Sequence, residues 1–451
     1  MSRRSRTQKK TDIDNGLLAS LESSIPAARH HYGSKLVQLF LQLVLRGGTS
    51  LRGTSRVLEL LAFSGEEDRW VAPHYTTGRL WLMQLGYYEL CREKSLADDW
   101  VWMVDHSAQI GVEKCLVILG IRLSELPPVD QCLQHEDMEL IELLPVKSSN
   151  QDLVRDQLEE VSQRTGIVPR AIVEDHGSDL RGGVAQFCER HTDTAQIYDI
   201  KHKAACVLKK QLEKDVVWDA FTTCLGQTKF KVQQTELAFL VPPSQRSKSR
   251  WMNLTGLTRW ARETLSVLDS PSEQVLEYCA ADNLETHFGW LREYRSALRE
   301  WCAMQRIVDL ANDFVRTKGL FQHAADELTD VLQPWMHCRR SREIGQTLIE
   351  FIQGETSQIR EGERLPGSTE VLESSFAKLK SLERHQSKSG FTGLVLGLGA
   401  IVSNKSTAII RRALESVSIS ALREWIASKI GATIQAKRRN AFKNCPRITS
   451  E

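Results

Sequence analysis

Three acidic residues stand beside apolar segments in a way that suggests phosphodiester chemistry. Asp105 ends one apolar run, in V-D-H-S, and Asp175 ends another, in V-E-D-H-G-S-D-L. A charge in such a place needs a partner that offsets its desolvation. Glu373 is the third, in S-T-E-V-L-E-S-S-F-A-K-L-K. Converging carboxylates can hold two Mg²⁺ ions, which stabilise the attacking and leaving oxygens of a phosphoryl transfer.

The two aspartates also have structural interpretations. Asp105 could be a turn residue, and Asp179 is a rival of Asp175, although a role as cap of the following helix would account for Asp179. Glu174 is expected on the opposite face of its strand, because side chains alternate along a strand. We therefore expect Asp105 and Asp175 to form the pair.

The third carboxylate has one alternative. Glu370 precedes Glu373 by one turn and is interpreted as a surface or capping carboxylate, but it remains a possible ligand. Glu373 is preferred because Lys380, two turns later on the same helical face, could reach a substrate phosphate.

The aspartates must be positioned by strands. Five segments alternate with a period of two or are rich in β-branched residues, and a charged amphipathic segment at 151–164 predicts a helix between the third and the fourth. The predicted strands are 100–105, 113–122, 138–146, 169–175 and 195–199. This order is that of a ribonuclease H-like domain, in which the first and fourth strands are parallel neighbours. The fold class is expected to be α+β.

The chain is long enough for several domains. Helical patterns at 34–45, 50–61 and 73–85, the last stopped by Gly86, resemble a helix-turn-helix unit that carries Arg79, or else form a plain helical cap. We expect the following division: a basic disordered tail at 1–30, a helical DNA-binding domain at 31–97, the first part of the core at 98–205, a mostly helical insertion at 206–360, core completion and C-terminal helices at 361–440, and a tail at 441–451.

Composition excludes several classes of protein. No apolar run is long enough to span a membrane, and the basic N-terminus is not followed by the apolar segment of a secretion signal. Ten scattered cysteines without a C-x-x-C pair indicate a reduced, cytoplasmic protein. Residues 399–406 nearly match a phosphate-binding loop, but Asn404 replaces its second glycine, so no nucleotide cofactor is expected.

The ordered set of acidic motifs resembles the DDE-type transposases of bacterial insertion sequences, over roughly residues 35 to 440. Two further segments share this resemblance. Y-D-I-K-H places Asp199 and His202 like the D-x-x-H pair of many such enzymes, and P-S-Q-R-S-K-S-R contains Arg246, Lys248 and Arg250, like a basic loop of related insertions. The long gap between Asp175 and Glu373 resembles that of members whose core is split by a helical insertion.

The resemblance implies a nuclease and strand transferase that binds the inverted-repeat ends of an element. It implies Mg²⁺ or Mn²⁺ on Asp105, Asp175 and Glu373, supporting contacts from Asp199 and His202, and phosphate contacts from the basic loop. Double-stranded DNA and a second copy of the chain are the expected partners, near the bacterial nucleoid. The alternative is a domesticated or inactive relative that binds DNA without cutting it. The tyrosine and arginine that precede the glutamate in one large family are absent, so the exact family stays open.

Overall fold

The computed structural model describes residues 20–21, 23–63, 71–106, 114–245, 251, 254–385 and 392–443. The chain divides into two compact units. The first comprises Met1–Pro127, Leu133–Gln196 and Thr369–Glu451, and the second comprises Pro128–Cys132 and Ile197–Ser368. The first unit is therefore discontinuous in sequence, and most of the second unit is inserted between two of its segments.

Three helices open the first unit. They are α1 (Ser34–Leu45), α2 (Leu51–Ala62) and α3 (Tyr75–Cys91). Ser50 caps α2 by accepting a hydrogen bond from the backbone N–H of Gly53 at 2.9 Å. These helices belong to the same compact unit as the strands that follow them. The structure provides no evidence for a helix-turn-helix, which remains a prediction.

A five-stranded mixed sheet follows. Its strands are β1 (Trp100–His106), β2 (Lys114–Arg122), β3 (Glu139–Val146), β4 (Ala171–Glu174) and β5 (Ala195–Tyr198). Their spatial order is β3-β2-β1-β4-β5, with β1 antiparallel to β2 and parallel to β4. All five expected strands are present, and the expected α+β class with a mixed sheet is confirmed.

Two helices cover one face of this sheet. Helix α4 (Gln151–Thr165) begins at Asn150, whose side chain accepts from Leu153 N–H, and α5 (Ser178–Arg190) follows β4. Buried side chains from both helices and from the sheet form one apolar core, which includes Trp102, Leu158 and Phe187. This face of the sheet is therefore closed to solvent by apolar packing.

The second unit is helical over most of its described residues. Its helices are α6 (Ile200–Leu212), α7 (Val216–Val232), α8 (Thr255–Asp269), α9 (Glu273–Tyr278), α10 (Ala281–Phe288), α11 (Arg295–Lys318), α12 (Ala324–Leu332) and α13 (Arg339–Thr356). Trp218 and Trp301 are fully buried and contact each other edge to face, with ring centroids 4.8 Å apart. The segment between Ile197 and Ser368 is thus mostly helical over its described residues.

The chain then returns to the first unit in five more helices. They are α14 (Glu370–Arg384), α15 (Gly397–Val402), α16 (Thr407–Ser416), α17 (Ile419–Lys429) and α18 (Ile434–Ala441). Helix α15 packs against α3, α14 and β3. Among the described residues, none of the helices is both long and apolar enough to cross a membrane.

Gly86 corrects one sequence expectation. It was expected to stop a helix, but α3 continues through it to Cys91. The reason is the close approach of α15, because a Cβ at Gly86 would lie 1.7 Å from the carbonyl oxygen of Leu396. A Cβ at Gly399 would likewise lie 2.5 Å from the Gly86 carbonyl oxygen. Glycine here permits close packing of two helices rather than helix termination.

A partly buried group of charges links the end of α3 to β3. Arg92 binds Glu89 at 2.6 Å and Glu139 at 2.8 Å, and Ser403 donates to Glu89 at 2.9 Å. Lys94 donates to the Glu89 carbonyl at 2.7 Å and is 3% exposed. Burial and then the charge of Arg92 lower the pKa of Lys94 to about 8, against the opposing effect of Glu139 and Glu89.

The substitution Gly86→Ala is expected to lower the free energy of unfolding by about 1–3 kcal/mol, because the new methyl group overlaps the backbone of α15. Gly226→Ala in α7 is the control, since nothing lies within 4 Å of its Cβ position. This control should leave stability unchanged or raise it by about 0.5–1 kcal/mol. Thermal and denaturant unfolding measure both, and a Gly86→Ala protein as stable as wild type would contradict the close approach.

The pKa of Lys94 predicts a pH dependence. Below pH 8 the lysine is protonated in both states, and between pH 8 and about 10.4 the unfolded chain binds more protons than the folded one. The stability of the wild type relative to Lys94→Met should therefore rise across this range. Denaturant unfolding at several pH values tests it. A difference that stays constant with pH would show that Lys94 titrates as a solvated lysine.

Candidate active site

The first two candidate carboxylates lie at equivalent positions on neighbouring strands. In the parallel pairing of β1 with β4, Val104 is aligned with Glu174. Asp105 directly follows Val104, and Asp175 directly follows Glu174. Adjacent strands lie about 4.8 Å apart. The register therefore brings the backbone of the two aspartates to the same edge of the sheet. That their carboxylates converge stays a prediction.

Alternation along β1 decides which face the aspartates share. Trp100, Trp102 and Val104 belong to the core beneath α4 and α5. Asp105 is one residue beyond Val104 and so projects from the opposite face. Helix α15 packs on that opposite face, where Leu140 of β3 approaches Gly399.

Glu174 has a structural role next to the site. It is fully buried and accepts hydrogen bonds from the backbone N–H of His176 and, at 3.1 Å, from Gln196 Nε2. Its alignment with Val104 places it on the face that α4 and α5 cover. Consecutive carboxylates at the end of β4 are thus separated onto opposite faces.

Asp175 also shapes the turn that follows β4. Its Oδ1 accepts a hydrogen bond from Gly177 N–H at 2.8 Å. His176, between them, has a φ of 63°, in the left-handed region that few non-glycine residues adopt. The turn fixes the position of the Asp175 carboxylate immediately before helix α5.

Asp179 does not act as the helix cap that the sequence suggested. Gly177 occupies the N-cap position of α5 and makes no side-chain capping bond. The Asp179 carboxylate instead lies 3.4 Å from Lys114 Nζ and 3.8 Å from His106 Nε2. Lys114 is the first residue of β2 and His106 is the last residue of β1. Local sequence patterns therefore could not predict the contact of these residues with Asp179.

The charges near His106 keep it neutral near neutral pH. Burial lowers the pKa of His106, Lys114 lowers it further, and the nearby Asp179 and Asp175 oppose this shift. Burial raises the pKa of Asp179, but the nearby Ser149 hydroxyl and the charges of His106 and Lys114 bring it below the usual value. A neutral imidazole therefore stands beside Asp179, on the side of β1 that α5 covers.

Glu373 lies in the first turn of α14. Its backbone N–H donates to the carbonyl of Thr369 at 3.1 Å, and its side chain is half-buried. Glu370, the alternative ligand, is also half-buried and is the first residue of the helix. Since α14 packs on α15, Glu373 belongs to the layer on the Asp105 face of the sheet.

A histidine that the sequence analysis did not identify fastens α14. His135 Nε2 lies 2.9 Å from Ser374 Oγ, and its Nδ1 lies 3.3 Å from Lys378 Nζ. Lys378 has only donors, so Nδ1 accepts and the proton is on Nε2. Burial and then the charges of Lys378 and Lys405 lower the pKa of His135, with Glu136 opposing, and this favours the same neutral form.

The three candidate carboxylates do not form a ready metal site. Within the described ranges, no three His, Cys, Asp or Glu side chains are grouped so that they could hold a metal ion. The aspartate pair supplies the hard oxygen donors that Mg²⁺ binds. Glu373 lies in the layer on the same side of the sheet without completing such a group.

The other predicted site residues have varied surroundings. Arg79 on α3 is half-buried, and its Nε has no hydrogen-bond partner in the part of the chain that the structure describes. Burial lowers its pKa, with Tyr75 opposing. Lys380 is exposed on α14. The basic loop residues Arg246, Lys248 and Arg250 lie outside the described residues.

Asp199 and His202 lie in the second unit. Asp199 is fully buried and caps α6, accepting hydrogen bonds from the backbone N–H groups of Lys201 at 2.6 Å and His202 at 3.3 Å. The sequence motif is therefore, at least locally, a helix cap.

The substitution His135→Ala is expected to loosen α14 by removing its contacts with Ser374 and Lys378, at a cost of about 1 kcal/mol. Amide hydrogen exchange should accelerate in Glu370–Arg384. His191→Ala is the matched control, because His191 pairs with Glu159 of α4 on the other side of the sheet. Unchanged exchange in α14, or equal acceleration in the control, would contradict a local role of His135.

Comparison with known proteins adds no assignment, since no family model matches the chain and no curated protein matches it.

Proposed function

We propose that the chain is a DDE-type transposase, a metal-dependent nuclease and strand transferase acting on DNA. The observation that carries the proposal is the β1–β4 register, which brings Asp105 and Asp175 to adjacent strand ends. Strand order β3-β2-β1-β4-β5, with β1 and β4 parallel, is compatible with a ribonuclease H-like core. Two adjacent carboxylates at such an edge repel each other unless a cation joins them.

The residues of the first unit would divide the chemistry between them. Asp105, Asp175 and Glu373 would hold Mg²⁺ or Mn²⁺, which would stabilise charge on the attacking and leaving oxygens. Lys380, exposed two turns after Glu373, would contact a substrate phosphate.

The proposed substrate is double-stranded DNA at the ends of a mobile element, and later the target DNA. Arg79 and the basic loop with Arg246, Lys248 and Arg250 would contact phosphates. Two ends must be held together, so a homodimer on DNA is proposed. The second candidate is a relative that binds DNA without cutting, and the absence of a three-ligand group among the described residues favours it.

Cleavage of labelled DNA containing the terminal repeats that flank the gene, in Mg²⁺ and in Mn²⁺, tests the proposal. We expect the wild type to nick at the repeat boundary. Each of Asp105→Ala, Asp175→Ala and Glu373→Ala should reduce the rate at least about 1,000-fold while retaining DNA binding, since only charge stabilisation in the transition state is lost.

Two controls complete this experiment. Asp152→Ala changes an exposed carboxylate on α4 and should cut like the wild type. Glu370→Ala should also cut, and the reverse result, an inactive Glu370→Ala and an active Glu373→Ala, would exchange their roles. A wild type that binds the repeats and never cuts would establish the second candidate, and cutting by all three alanine variants would refute the proposed site.

A further inference from the structure

The second unit contains a groove that the proposed chemistry does not use. It is a cavity of about 860 Å³ between α8, α11 and the turn at Gln333–Trp335. Buried Leu265 and Leu298 lie at its base. Its polar lining includes five arginines, Arg259, Arg262, Arg295, Arg299 and Arg306. We refer to these arginines together with Trp335 as the arginine groove.

All five arginines are exposed. Arg259, Arg262 and Arg299 form no ion pair with any other described residue, although carboxylates are as common as basic residues in the whole chain. The arginines of α11 repeat at four and seven residues, so they form one stripe about 16 Å long. A row of guanidinium groups along a groove is suited to a ligand with regularly spaced negative charges.

The groove also contains two aspartates, which offset only part of this charge. Asp269 is bound by Arg295 and, at 2.5 Å, by Arg292. Asp309 is half-buried and accepts a hydrogen bond from Gln305 at 2.7 Å. Five arginines against two aspartates leave the groove positive.

One aromatic ring is available at the rim of the groove. Trp335 is 40% exposed, whereas Trp218 and Trp301 of the same unit are fully buried. The Arg306 guanidinium lies over the Trp335 ring, 4.8 Å from its centroid. An exposed indole that already stacks with a planar cation can stack with a planar base.

We propose that the arginine groove binds a single strand of nucleic acid, with its phosphates on the arginines of α8 and α11 and a base on Trp335. A positive groove with an aromatic platform is the combination that recognises single strands irrespective of sequence. This site does not depend on the carboxylates of the first unit, and it needs no metal ion.

The size and chemistry of the groove favour one strand over a duplex. A cavity of this volume is comparable to a small-molecule site and holds a few nucleotides. The bases of a double helix are paired and stacked, so none of them is free to stack on Trp335. An acidic peptide would pair with the arginines but would not use the Trp335 ring, so the ring distinguishes these two ligands.

Fluorescence anisotropy with a labelled oligothymidylate of about 12 nucleotides, in EDTA, tests the proposal on the full chain. Combined substitution of Arg259→Gln, Arg262→Gln and Arg299→Gln should weaken binding at least about 10-fold near 0.1 M salt. The slope of log affinity against log salt should fall by about 2, at roughly 0.7 for each phosphate contact on a single strand. Trp335→Ala should weaken binding about 10-fold without changing the slope, and Trp335→Phe should restore it.

The matched control removes the same charge elsewhere on this unit. Combined Lys209→Gln, Lys214→Gln and Lys231→Gln changes three exposed lysines outside the groove and should leave binding unchanged. Equal effects of the two triple variants would overturn the proposal. So would competition by thymidine triphosphate, a duplex of equal length or polyglutamate at the same charge concentration. Because binding is measured in EDTA and without cleavage, a failure of the cleavage proposal does not change how this result is interpreted.

Discussion

The parallel pairing of β1 with β4 is the constraint on which the candidate active site depends. Its register aligns Val104 with Glu174 and so brings Asp105 level with Asp175. A slip of one residue would exchange the faces of Glu174 and Asp175, because side chains alternate along a strand. The apolar core that includes Ile172 opposes such a slip, since every strand side chain packed in it would have to leave that face of the sheet. Burial thus determines the placement of the charges.

The opposite face of the sheet is held by contacts of a different kind. Helices α3 and α15 touch through Gly86 and Gly399, and a partly buried charge group centred on Arg92 ties the end of α3 to β3. Buried ion pairs contribute little net stability, but removing one partner is costly, so they favour one arrangement over others. Helix α14, which contains Glu373, packs on this layer. The position of Glu373 therefore depends on packing far from the candidate site.

Much of this arrangement was predictable from local patterns. Apolar alternation identified all five strands, and the helical insertion followed from its periodicity. What the sequence did not reveal involves residues brought together from distant segments. From the sequence, Gly86 was expected to end a helix, but it allows α15 to pack closely against α3. Asp179 was expected to cap a helix, but it lies next to Lys114. No local pattern around His135 indicated its contact with α14. Patterns in a single sequence indicate the helix or strand to which a residue belongs. They do not indicate which residues from distant segments pack against it.

The discontinuity of the first unit has a consequence for synthesis of the protein. The last strand of the sheet ends at Tyr198, but the helices from α14 onward, which help to cover one sheet face, are translated only after most of the second unit. During translation this apolar face stays incompletely covered until those helices are made, while the inserted helices can form from local contacts. A chain released before Thr369 would lack both the cover and Glu373. Under the proposed function, the cutting activity would appear only in a chain finished well beyond the insertion, so that incomplete products on the ribosome could not damage DNA.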